Sequence, residues 1–175
     1  MEEILDKIFV THVGSLPRKQ KVVDFIFARE KNQIYDQDDF DNVMHEAVSE
    51  TVKKQVEAGI DIVSDGETSK ISYATYVKDR IDGFSGESDR KAPKDLDDFP
   101  TFKERIARTG GTPTYTRPCC THELKIKDTL SLTKDINNFK EALNENNHNQ
   151  AFMNAASPGV ISAFLPNKFY KNDDE

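Results

Sequence analysis

Apolar positions recur at helical spacing most clearly between Asp38 and Gly59, where Phe40, Val43, Met44, Ala47, Val48, Val52 and Val56 form one stripe. Steps of three and four residues put these side chains on one face, which predicts an amphipathic helix. Asp36 or Asp38 supplies its amino-terminal cap. Gly59 supplies its stop, because the residue just past a helix end takes a positive φ that glycine adopts most cheaply. Met44 and the aromatics of the stripe belong to the core, and His45, off the stripe, is read as exposed. Directly after the helix comes Gly59-Ile60-Asp61-Ile62-Val63-Ser64-Asp65-Gly66-Glu67. Ile60, Ile62 and Val63 make a β-rich run too short for a helix, and Gly66 permits a tight turn or a close ligand approach.

The same reading extends along the chain. Ile8 to Val13 is an apolar run that predicts a strand, and Gly14 to Arg18 is the loop leaving it, with Pro17 barring further pairing. Val22, Val23, Ile26 and Phe27 predict a short helix over Gln20 to Lys31. Strand, two helices and strand then give a crossover joining a parallel pair. A helix is expected over Ser72 to Arg80, an extended segment over Tyr115 to Lys127, a helix over Ser131 to Glu145 and a further strand over Gln150 to Ala156. Val160 to Tyr170 carries Phe164, Leu165, Phe169 and Tyr170, which require a partner surface. Residues 85–114, rich in charge, glycine and proline, are expected to form a lid-like loop, since a connection of that length inside a compact domain tends to be either a lid or disordered.

Composition narrows the function classes. The chain has 175 residues and a net charge of -7, with 36% hydrophobic and 31% charged positions. That length suits one domain spanning 1–175. The acidic balance argues against a nucleic-acid surface. No apolar run reaches the roughly 18 residues of a membrane span and no signal-peptide core opens the chain, so the cytoplasm is the expected location. Cys119 and Cys120 are adjacent and make no disulfide framework.

In parallel α/β folds, functional groups gather at the carboxyl ends of strands, where Asp65 and Glu67 fall, with Ser15 and His12 at the same end. Asp65 and Glu67 alternate onto one face and are suited to sharing an ammonium group. A solvated acidic turn is the plain alternative. A glycosidase would draw its two acids from different strands. A serine hydrolase built on Ser15 and His12 lacks its Gly-x-Ser-x-Gly elbow, and no phosphate-binding glycine loop is present. Cys119-Cys120-Thr121-His122 invites a metal reading, but strand alternation puts only Cys120 and His122 on one face, and no second cluster completes four ligands.

Three stretches together resemble the cobalamin-independent methionine synthase family. They are Thr11-His12-Val13-Gly14-Ser15-Leu16-Pro17-Arg18, then Gly59 to Glu67 followed by Lys70 and Ser72 to Arg80, and later Ala155-Ala156-Ser157-Pro158-Gly159-Val160-Ile161. The resemblance runs over nearly the whole chain and is closest to the methionine-synthase-II-like branch, within the superfamily that includes uroporphyrinogen decarboxylase. It implies an α/β fold, a partial (β/α)8 TIM-type barrel of about the first half, with parallel strands and crossover helices. The implied activity is zinc-dependent methyl or alkyl transfer to a thiol such as homocysteine, with Ser15 and Glu67 holding the amino acid portion and His12 and Asp65 beside them. The family's zinc ligands lie in the second barrel half, so this chain is expected to bind no zinc alone and to carry no catalytic residue of its own. A second polypeptide, or self-association, would then complete the barrel. A non-catalytic remnant or small binding module is the alternative.

Overall fold

The computed structural model describes residues 8–72, 74–88, 97–102 and 117–172. Helix α1 spans Gln20–Glu30 and α2 spans Gln37–Glu57. Strand β1 is Val63–Ser64, β2 Ile81–Ser85 and β3 Cys119–Ile126. Helix α3 (Leu130–Glu145), strand β4 (Ala151–Phe152) and helix α4 (Pro158–Phe164) follow.

Helix α2 organises the packing. Its amino terminus is capped by the Asp36 carboxylate, which accepts from the Asp39 N–H at 2.8 Å, with Asp38 and Asp39 favourably placed in the first turn. At the other end Gly59 adopts φ +78°, the Ile60 N–H donates to Gln55 O and the Gly59 N–H to Val56 O, a Schellman closure that turns the chain toward β1. One half of the stripe (Phe40, Val43, Met44) packs on Val22 and Ile26 of α1, with the Phe25, Tyr35 and Phe40 rings meeting at 5.3 to 6.1 Å. The other half (Val48, Val52) packs on Val63 of β1 and on Phe139 and Ala142 of α3. Buried Gln55 completes the docking: its side-chain amide donates to Ser64 O at 2.8 Å and accepts from Ser64 N–H at 3.0 Å, pairing with β1 as a neighbouring strand would.

β1 pairs in parallel with β4 through Val63↔Ala151 and Ser64↔Phe152, and a parallel bridge joins Thr11 to Ile62 on its other side. The run Ile8 to Val13 is therefore held at one bridge rather than as a full strand. Its Val10 carbonyl accepts from the Asp61 and Ile62 N–H groups, and the Asp61 carboxylate accepts from Val10 N–H.

Several expectations need correction. The extended segment expected over Tyr115 to Lys127 becomes β3, but it pairs antiparallel with β2 instead of joining the parallel set. β2 itself runs through the Gly83-Phe84-Ser85 stretch, where no strand was expected. Gly83 sits at a bulge between Asp82 and Phe84 with φ +111°, and a side chain there would meet the His122 and Glu123 carbonyls at 2.9 Å. The expected helix over Ser72 to Arg80 is a single 3-10 turn, Tyr76–Asp79, and the strand expected over Gln150 to Ala156 shortens to Ala151–Phe152. Most of the 85–114 lid-like segment lies outside the described residues. Among the described residues no helix is long and apolar enough to cross a membrane.

Candidate functional site

The stretch beyond β1 folds back at once. Asp65 O accepts from both the Thr68 N–H (3.2 Å) and the Thr68 hydroxyl (2.8 Å), and Asp65 Oδ1 accepts from the Glu67 N–H at 3.2 Å. The turn takes positive φ at both central residues, Gly66 (+59°) and Glu67 (+54°). A non-glycine residue in that region is strained, and at Glu67 the conformation is imposed by the bonds around it.

The loop Gly14 to Arg18 is zipped onto this turn. Leu16 N–H donates to Gly66 O at 3.0 Å. Arg18 donates to three carbonyls, those of Glu67 (2.7 Å), Lys70 (2.8 Å) and Thr68 (3.1 Å). Burial lowers the pKa of its guanidinium, while Glu67 and then Asp65 act in the opposite sense. An arginine so placed remains a cation.

Inside this frame the two acids part company. Glu67 is buried; its Oε2 accepts from the exposed Ser15 hydroxyl at 2.6 Å and its Oε1 from Asn154 Nδ2 at 2.5 Å. Asp65, equally buried, gives Oδ2 to Lys70 Nζ at 3.1 Å, and each side chain is only 3% exposed. The Lys70 ammonium also donates to Asn154 O at 3.0 Å and lies 5.5 Å from the Tyr76 ring centre. Both carboxylates thus occupy one turn, but the ammonium they were read as sharing is Lys70, and its ion pair is with Asp65. The half-buried His12 ring donates from Nε2 to Gly14 O at 3.2 Å. It lines a cavity of about 370 Å³ with Leu16, Arg18, Thr51 and Thr68, so it buttresses the Ser15 loop.

Sequence reasoning missed Asn154, Lys70 as an ion-pair partner, and Arg18 as the clasp. Lys70 and Arg18 lie inside recognisable motifs, but Asn154 carries no local signal. Beyond Lys70 and Asn154 opens a cavity of about 520 Å³, walled by apolar groups including Ile81, Ile136 and Met153, with Tyr76 and Arg80 on its border. The Tyr76 hydroxyl donates to Asp135, the Arg80 guanidinium stacks 3.3 Å from the Tyr76 ring centre and reaches Asp135 at 3.3 Å, and burial followed by the Asp135 charge pushes the Tyr76 phenol up.

The Cys119–His122 cluster does not assemble. Both thiols are buried and turned to carbonyls, Cys119 to Glu87 O (3.7 Å) and Cys120 to His122 O (3.5 Å), and burial raises the Cys120 pKa. His45 meets Glu141 at 3.0 Å on the α2–α3 surface. Among the described residues, no three His, Cys, Asp or Glu side chains stand together as a metal-ion donor set.

The sequence pattern described as "Cobalamin-independent synthase, Catalytic domain" matches residues 8–93, which contain Ser15, Asp65, Glu67 and Lys70. The chain is 24% identical over 161 residues to a methionine synthase of Sulfolobus acidocaldarius, covering 92% of this chain and 41% of that protein. In fold it is similar to a B12-independent methionine synthase from Shewanella sp. W3-18-1, solved in complex with selenomethionine. The TM-score there is 0.59 at 18% identity, over 94% of this chain and 42% of the other. The chain spans about two fifths of the length of these relatives.

Proposed function

Because this chain is related to the cobalamin-independent methionine synthase family, we propose that it forms the substrate-binding portion of a methyl or alkyl transferase acting on an amino acid thiol such as homocysteine. The observation that carries this reading is the buried Glu67 carboxylate held open by two neutral donors, Ser15 and Asn154. An ionised carboxylate offers about four lone-pair directions, and these donors use two. The rest suit a ligand ammonium, beside the exposed Ser15, whose one hydroxyl proton is engaged by Glu67. Asp65 serves the same site through Lys70, and His12 by bracing the Ser15 loop. The Shewanella protein's selenomethionine is an amino acid of the size this reading asks for.

Zinc, which the resemblance implies, would activate the thiol by lowering its pKa. The described residues offer it no donor set; on this reading the work of this chain is to hold the substrate. The competing reading is a binding module without transfer chemistry. A cytoplasmic setting fits both.

Calorimetric titration of the chain with L-homocysteine tests the shared premise. Glu67→Gln keeps the shape and removes the charge, and a charge-assisted bond of about 1.5–3 kcal/mol predicts roughly ten- to hundredfold weaker binding. Undiminished affinity in Glu67→Gln and Ser15→Ala would refute the site. Adding the zinc-bearing portion of a relative and assaying S-methylation separates the transferase from the binding module.

A further inference from the structure

Asn154 lies two residues beyond β4 and is bound twice. Its side-chain amide donates to Glu67 Oε1 at 2.5 Å, and its main-chain carbonyl accepts from Lys70 Nζ at 3.0 Å. Lys70 is itself fixed by Asp65 at 3.1 Å in a pair almost wholly removed from water. The main chain at Asn154 is therefore anchored by a buried cation while its side chain points at the carboxylate assigned to the ligand.

We propose that Asn154 is the positioning residue that sets the Glu67 carboxylate for a ligand ammonium, making the site selective for amine-bearing thiols over their desamino counterparts. The inference rests on the substrate reading of Glu67 above. Ser15 holds Oε2 alone, and a carboxylate held by one oxygen turns about its terminal bond, a torsion with broad wells. Asn154, arriving from a strand far along the chain, holds the other oxygen and fixes the plane. In the orientation this network requires, its Nδ2 only donates. It adds no charge and does not compete for the ligand's protons, so the ammonium faces a carboxylate of fixed direction. A desamino analogue brings a methylene to the same place and leaves a desolvated acceptor without its partner.

The test compares L-homocysteine with 4-sulfanylbutanoate, its desamino analogue, by calorimetry on the wild-type chain and on Asn154→Leu, which has the same branched shape and no donor. The wild type is expected to prefer homocysteine by roughly tenfold or more, and Asn154→Leu to bring that ratio close to one. A merely structural role would weaken both ligands alike and leave the ratio unchanged. Asn154→Ser, whose shorter hydroxyl no longer reaches Glu67, gives the same loss of preference and carries the test if the leucine variant does not fold. A wild type that prefers homocysteine together with variants that keep the preference overturns this inference alone. A wild type that binds neither thiol overturns the substrate reading and this inference with it.

Discussion

Replacing Asp65 by asparagine removes the carboxylate that faces Lys70 across 3.1 Å, at a place where both side chains are 3% exposed. The asparagine keeps an oxygen for the Glu67 N–H, so the turn loses little directly, but Lys70 becomes a buried cation beside a neutral amide. Breaking a buried pair by removing one partner costs about 3–5 kcal/mol. Lys70 retains the Asn154 carbonyl at 3.0 Å and the Tyr76 ring at 5.5 Å, which places the expected loss at the lower end, about 3 kcal/mol. In a chain of this size that corresponds to a melting temperature lower by roughly 6–12 °C. Lys70→Met alone strands the Asp65 carboxylate and costs a similar amount. The double variant removes both charges and should be more stable than either single one. Urea denaturation of the four proteins measures the coupling. A Asp65→Asn variant within about 0.5 kcal/mol of the wild type, or a double variant whose loss equals the sum of the singles, would refute the reasoning.

Gly66→Ala places a Cβ 2.8 Å from Thr51 Cγ2 and 3.1 Å from Leu16 Cδ1 at a backbone φ of +59°. It should cost roughly 2–4 kcal/mol in the same denaturation assay, and adding Thr51→Ser, which removes the offending methyl, should return part of it. Tyr76 holds its proton longer in the folded chain than a free phenol, because burial and then Asp135 raise its pKa above the ordinary 10.0. Its contribution to stability is therefore complete below pH 10.0 and falls as pH rises past that value toward the folded pKa. Tyr76→Phe should flatten the fall between the wild type's stability at pH 9 and at pH 11 (about one unit either side of the free-phenol value); an unchanged alkaline slope would count against it.

Local signals carried α1, α2 and α3. The apolar stripe, the Asp36 cap and the Gly59 stop are each complete within a few residues, and α2 ends within two residues of where they place it. Glu67 and Ser15 stand out because short motifs surround them, and the structure joins the two by a hydrogen bond. β2 was not, since Ile81–Ser85 contains a glycine and polar positions and becomes a strand only by pairing with β3, whose first residue is Cys119. The same holds for Asn154, an ordinary polar residue until tertiary packing sets it against Glu67. Periodicity also cannot tell parallel from antiparallel pairing, and so an extended reading of Tyr115 to Lys127 says nothing of the antiparallel partner that β3 takes.

The Glu67 carboxylate is gripped from 52 residues upstream by Ser15 and 87 residues downstream by Asn154. Closing such long loops costs entropy before any contact rewards it, so interactions of this sequence separation tend to form late and slowly. Helices α1 and α2, held together by near neighbours, have no such wait. On refolding, helical signal is thus expected to return ahead of ligand-binding competence, and the lag between the two would time the arrival of β4 beside β1. The grip on Glu67 is in this sense a clock for the topology: a newly made chain cannot close it until Asn154, 87 residues further on, is in place.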